Sequence, residues 1–142
     1  MKNKKILYRA GMIPYVIEDG EVIMLFMQPS NVTYGGSEFQ LCKGVVEDDD
    51  ESVRSAALRE SLEELGLRAD NTESVTELGT FLGRTTVFMA RVSNKDNFDL
   101  PHYETNATMW MSCQQFVSEG RPLHREIVEI AEQVIRKEEG LD

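Results

Sequence analysis

The chain has 142 residues, 41% hydrophobic and 28% charged, which bounds it to a single domain, residues 1–142, with a core of its own. A net charge of −10 argues against the basic footprint that broad nucleic-acid or anionic-membrane binding requires. It leaves room for a small phosphorylated ligand held by a few local cations or by a metal.

The start MKNKKILYRAGMIP carries basic residues but no sustained apolar run, so neither a signal peptide nor a membrane span is expected. The expected location is the cytoplasm. Cys42 and Cys113 lie far apart in sequence and read as free thiols. With only His102 and His124 available, a Cys/His zinc centre is disfavoured. Any metal would sit among oxygen ligands, as Mg²⁺ or Mn²⁺ does. Both histidines are expected at the surface.

Residues 6–17 and 21–27 read as strands around Asp19-Gly20, a hairpin signal. Residues 28–38 form a loop rich in Gly, Ser, Asn and Pro, and FQLCKGVV is a short strand ending at Gly44. Tyr34 and Phe39 are candidates for stacking on a base, or for the core. The acidic run Glu47 to Glu51 leads into a helix ending at Leu65, with Asp48 and Glu51 as a capping box and Gly66 as the stop. Residues 74–92 predict one or two strands around Gly83-Arg84. A polar loop follows over 94–107, then a short strand, TMWMS, whose Trp110 is assigned to the core. SCQQFVSEG predicts a short helix capped by Ser112 and stopped by Gly120. Ile127, Ile130, Ala131, Val134 and Ile135 recur at helical spacing, the mark of an amphipathic helix on the core. This order predicts one mixed sheet with helices packed on it.

The segment RESLEELG does not fit a merely structural helix. Glu60, Glu63 and Glu64 share one face, where like charges repel by a few tenths of a kcal/mol per pair, on the order of helix surface pairs in general. Glu63 and Glu64 also crowd the C-terminal end, where the helix dipole is already negative. A solvated acidic face is the plain alternative. Clustered carboxylates become favourable when a divalent cation neutralises them.

Residues 44–67, GVVEDDDESVRSAALRESLEELGL, resemble the signature box of the Nudix hydrolases through Gly44, Glu51, Arg59, Glu60, Glu63, Glu64, Gly66 and Leu67. AGMIPY and FQLCKG resemble segments of members acting on dinucleoside polyphosphates and capped nucleotides, and Glu104, six residues before Trp110, resembles the family's late glutamate. The segment from Gly44 to Glu51 is one residue longer than the usual pattern. Glu51 keeps the spacing to Arg59 and is assigned as the box acid, while Asp50 keeps the spacing to Gly44 and is the alternative. Ser61 stands where an aliphatic residue is usual, and Cys42 where a Pro often precedes Lys-Gly.

The resemblance implies a Nudix-like α/β/α sandwich and metal-dependent hydrolysis of a pyrophosphate bond. Glu60, Glu63 and Glu64, with the Lys43 carbonyl, would hold Mg²⁺ or Mn²⁺. Arg59 would orient Glu51 through its planar donor fork. Glu60 is the first choice of general base and Glu104 the second, with a metal-ligand role also open to Glu104. Lys43 and Arg84 are candidates for contacting substrate phosphate.

GTFLGRTTV has neither the Tyr often found downstream of the box in diadenosine tetraphosphate hydrolases nor the Pro often found there in ADP-ribose enzymes. That region does not choose a substrate; the expectation is a nucleoside diphosphate derivative, with nucleoside or dinucleoside polyphosphates first and nucleotide sugars or an RNA 5′-triphosphate end second. A nucleotide-sensing domain without catalysis is the competing class, and the intact box glutamates count against it. The expected partner is a small nucleotide, not a membrane or nucleic acid, with the chain a monomer or homodimer.

Overall fold

The computed structural model describes residues 6–33 and 35–141. The stacking expectation for Tyr34 and the first five residues of the expected leaderless start lie outside the described residues. Six strands form one mixed sheet: β1 (Arg9–Glu18), β2 (Glu21–Pro29), β3 (Cys42–Val45), β4 (Thr72–Phe81), β5 (Thr85–Val92) and β6 (Thr105–Ser112). Three α-helices accompany it: α1 (Val53–Leu65), α2 (Cys113–Glu119) and α3 (Arg125–Glu138).

The β1–β2 hairpin turns at Asp19 and Gly20, with φ of 52° and 78°. Two consecutive positive φ angles give the primed turn whose twist matches the flanking strands. The strand path runs β4-β5-β1-β2-β6. Only β1 and β5 run parallel; the other pairs are antiparallel.

The sheet forks beside β1. Tyr15 to Glu18 pair with β2, whereas Arg9 to Met12 pair with β3. β3 is thus wedged where β2 has swung away, and the Met27–Gln40 bridge ties its approach back to β2. This fork places Gln40 to Gly44 at the edge of an open cleft.

Both faces of the sheet are covered. Ile13, Tyr15, Met24, Phe26, Val87 and Met89 pack with Phe116 and with Ile127, Val128, Ala131 and Ile135 of α3. The opposite face carries Ala10, Met12, Phe88 and Ala90 against Ala56 and Ala57 of α1. Leu25, Met27 and Cys42 meet Leu65 there. Alternation along the strands sends odd and even residues of β1 to different helices, so Ala10 to Tyr15 are buried throughout. Phe39 packs on the α3 side, and half-buried Trp110 packs edge-on against Phe98, with ring centroids 5.7 Å apart.

Ser52 caps α1, its side chain accepting from the Ser55 N–H, in place of the expected Asp48–Glu51 capping box. The reason is local: Asp50 is folded back to accept from the Glu47 N–H at 2.8 Å, so the helix starts beyond it. β6 begins at Thr105, three residues before the expected TMWMS strand. Cys42 and Cys113 are free, as expected. Among the described residues, no helix is long and apolar enough to cross a membrane.

Candidate active site

The acidic helix α1 lies against the fork, and its buried face explains how it gets there. Ala56, Ala57 and Ser61 are fully buried and small, so the helix sits close to the strands. Ser61 satisfies its hydroxyl by donating to the Leu58 carbonyl at 2.8 Å, which makes it tolerable at a usually aliphatic position. Glu60 is on the same face and only 8% exposed. A Cβ on Gly44 would fall 2.2 Å from the Glu60 carboxylate, so Gly44 is there to admit that group. Glu64 Oε1 accepts the Lys43 N–H at 3.1 Å.

The C-terminal end of α1, expected to be electrostatically poor, is capped by a loop distant in sequence. Gly66, at φ 77°, donates to Leu62, and the Leu67 N–H reaches back to the Ser61 carbonyl. Backbone N–H groups of His102 and Asp99 donate to the carbonyls of Glu63 and Gly66, and the Thr105 hydroxyl donates to that of Glu64. The segment 97–105 therefore answers the terminal carbonyls that no helix satisfies by itself. Gly66 is also required by space, since a Cβ would meet the Asp99 carbonyl oxygen at 1.9 Å. Docking of this loop brings His102, Tyr103 and Glu104 into the cleft.

Arg59 organises the acids. Its Nε and Nη2 donate to the two Asp50 oxygens at 3.0 and 2.9 Å, and Nη2 also reaches the Val45 carbonyl at 3.1 Å. Its Nη1 donates to Glu60 Oε1 at 2.9 Å and lies 3.5 Å from Glu63 and 3.6 Å from Glu47. The expected Arg59–Glu51 pair is therefore corrected: Asp50 takes the guanidinium fork, and Glu51 is exposed. The turn closed by the Glu47 N–H fixes Asp50 opposite Arg59, so the additional residue of the loop falls after Asp50. The guanidinium draws the Asp50 pKa down to about 2.

The cleft, an opening of about 870 Å³, is lined by charges of both signs. Its acids are Glu47, Glu60, Glu63, Glu64 and Glu104. Burial, and then the neighbouring Glu60 charge, push the Glu64 pKa up to about 8. Burial also raises that of Glu60, against the pull of Arg59. Its cations are Arg9, Lys43 and Arg121. Burial lowers the Lys43 pKa, and the charges of Arg121 and Arg9 add to that.

Arg84 does not join them. It lies exposed in the β4–β5 turn, outside the cleft lining, and its carbonyl accepts the Arg9 N–H. Sequence reasoning missed Arg9, Gln40 and Arg121. Nothing local marks them: Arg121 reaches the cleft because its N–H donates to the Phe39 carbonyl at 2.8 Å, a contact between distant segments. His124 is likewise corrected from surface to core. It is fully buried, and burial drops its pKa to about 3. His102 is exposed as expected and stands 3.4 Å from Glu104.

The chain matches the NUDIX domain over residues 7–130. It belongs to the Nudix family. Comparison with curated protein sequences gives no match. Among solved structures, a Caenorhabditis elegans Ap4A hydrolase in a binary complex is similar at 18% identity and TM-score 0.71, over 96% of this chain and 100% of that one. The NUDIX domain of Shewanella oneidensis NrtR, complexed with ADP ribose, is similar at 16% identity and TM-score 0.76, over 94% of this chain and 90% of that one. The Mycobacterium smegmatis Nudix hydrolase RenU gives 16% identity and TM-score 0.70, over 90% of this chain and 86% of that one. This Nudix domain is a pyrophosphohydrolase.

Nudix hydrolases generally use divalent metals, and the donors here suit one. Among the described residues, no three acidic, cysteine or histidine side chains form a ready-made metal cage. Mg²⁺ does not need one, because it keeps several waters and takes one or two carboxylates plus substrate phosphates. Burial raises the pKa of both Glu60 and Glu64, neighbouring carboxylates add to it, and a cation beside them would relieve both.

Proposed function

We propose that this protein hydrolyses a pyrophosphate bond in a nucleoside or dinucleoside polyphosphate, with Mg²⁺ or Mn²⁺ held by Glu60, Glu63, Glu64 and the Lys43 carbonyl. The observation that carries this reading is the convergence, in one cleft, of five glutamates with Arg9, Lys43 and Arg121. A polyphosphate needs both: a carboxylate-held cation at the scissile phosphates and protein cations along the rest of the chain. The bound metal would neutralise phosphate oxygens and activate water.

In the reaction, a water oxygen bonds to phosphorus, the bridging P–O bond breaks, and the leaving phosphate departs with its electron pair. The water proton passes to a carboxylate. Glu60 takes that role in our reading: its raised pKa makes it a stronger proton acceptor, and Gly44 and Arg59 hold it still. Exposed Glu104 is a further metal ligand, or the base if Glu60 serves only the metal. Arg59 and Asp50 position Glu60 without touching substrate, and Lys43 contacts phosphate. The two free thiols support work in a reducing compartment such as the cytoplasm.

The likeness to an Ap4A hydrolase favours dinucleoside polyphosphates, and the likeness to a domain holding ADP ribose keeps nucleotide sugars as the second choice. The test is a nucleotide panel with Mg²⁺, followed by chromatography of the products. Tri- and tetraphosphates should give a nucleoside monophosphate or released phosphate faster than ADP-ribose is cleaved. Tight nucleotide binding with no turnover on any member would overturn the proposal in favour of a sensor. Glu60→Gln should lose more in kcat than Glu104→Gln; the reverse order would make Glu104 the base.

A further inference from the structure

The loop before α3 places a fully buried histidine directly behind an arginine of the cleft. His124 Nδ1 accepts the Leu41 backbone N–H at 3.1 Å. A backbone N–H can only donate, so Nδ1 is the lone-pair nitrogen and the ring proton sits on Nε2. That Nε2 lies 3.4 Å from Arg121 Nη1. A guanidinium also only donates, so the two groups face each other as donors and neither satisfies the other. Arg121 Nη1 has one protein acceptor, Gln40 Oε1 at 3.2 Å, and Gln40 is itself buried.

The other cations nearby are no better matched. Among the described residues, no carboxylate forms an ion pair with Arg9, Lys43 or Arg121. Yet all three line the same cleft, and the charges of Arg121 and Arg9 both act on Lys43. Arg54, Arg84, Arg125 and Lys137 also lack ion pairs among the described residues, so what sets Arg9, Lys43 and Arg121 apart is their convergence on one cleft. Their surplus donors call for an anion with several acceptor oxygens.

We infer that Arg121, with Lys43 and Arg9, forms a subsite for a phosphate beyond the two that flank the scissile bond, so that the cleft selects substrates with three or more consecutive phosphates. This rests on the hydrolase reading and deepens it. His124 acts on Arg121 only: its Nε2–H offers the guanidinium no acceptor, which leaves those donors for the ligand. Lys43 belongs to both sets of charges, because its backbone N–H holds Glu64 while its side chain feels the charges of Arg121 and Arg9.

Two measurements on the full chain test this, one without turnover. In EDTA, inorganic tripolyphosphate is titrated calorimetrically into wild type, Arg121→Gln, Lys43→Gln and Arg84→Gln. The first two variants should bind about tenfold more weakly or worse, and Arg84→Gln should match wild type. In steady state with Mg²⁺, Arg121→Gln should raise KM for a nucleoside tetraphosphate about tenfold with kcat little changed, and leave KM for ADP-ribose alone. Wild-type tripolyphosphate binding by Arg121→Gln, or equal KM changes on both substrates, would overturn the subsite. If wild type turns over nothing, the hydrolase reading fails, and the metal-free titration still decides the subsite. Should Arg121→Gln fail to fold, Lys43→Gln decides in its place.

Discussion

The helices on the two faces of the sheet are built on opposite logic. α3 has Glu126 in its first turn and Arg136 and Lys137 in its last, as the helix dipole favours. It buries Ile127, Val128, Ala131 and Ile135, and full burial of each Ile or Val side chain contributes about 1.5–3 kcal/mol. α1 has no acid in its first turn and no base in its last, which holds Glu63 and Glu64 instead. Its buried face is Ala56, Ala57, Glu60, Ser61 and Leu65, small residues around a carboxylate. α3 is arranged for stability, whereas α1 gathers charge at the cleft, where our proposal puts the ligand. The deficit at the end of α1 is met by the loop 97–105, which donates N–H and hydroxyl groups to its carbonyls and delivers Glu104 to the cleft.

This contrast can be broken in four ways. The largest effect should come from α3. Ile135→Ala removes a fully buried side chain and should lower unfolding free energy by about 2–5 kcal/mol in denaturant titration, with kcat of the folded fraction unchanged. A large loss of kcat in the folded protein would mean that α3 is not merely structural.

Glu63→Gln on α1 should do the reverse. Turnover at saturating Mg²⁺ should fall by roughly two powers of ten, about 3 kcal/mol. The metal-free melt should stay level or rise slightly, because one like charge leaves the helix end. Near-normal turnover would return the acids of α1 to a solvated surface role.

Asp50→Asn should lower stability and activity more than Glu51→Gln, which removes an exposed carboxylate without an ion pair to Arg59. The Asp50 pKa is depressed, so its contribution is full above the unfolded value near 3.8 and disappears as pH falls toward about 2. Denaturation curves of Asp50→Asn should therefore converge with those of wild type across that acid window. Equal differences at pH 6 and pH 2 would contradict the pairing. The smallest change belongs to Lys137→Gln at the end of α3, worth about 0.3–1 kcal/mol at low salt and less as salt rises.

Much of this molecule was legible along the chain because its causes are local. The Asp19-Gly20 turn, the Gly66 stop, the Ser112 cap and the apolar periodicity of α3 each depend on neighbours within a few residues. So does the placement of Glu60, Glu63 and Glu64 on one helical face, from which the carboxylate site could be read. The partner of Arg59 could not be. Glu51 and Asp50 satisfy the spacing from opposite ends, and the Glu47–Asp50 turn chose between them by fixing one carboxylate. The grouping of the cations was equally hidden, although Lys43 itself was a candidate. Arg9, Lys43 and Arg121 lie more than thirty residues apart in sequence, and the fork of the sheet with the Arg121–Phe39 backbone contact brings them to one cleft. His124 looked like a surface residue because polarity alone argues for exposure, whereas one backbone donor from Leu41 is enough to hold the ring inside. Sequence by itself determined the helix and its charges, since these follow from residue type and short spacing, and its resemblance to the Nudix box implied the class of chemistry. Only the tertiary structure decided which acid steadies the site and which cations face it, because those choices are contacts between segments that the chain alone keeps apart.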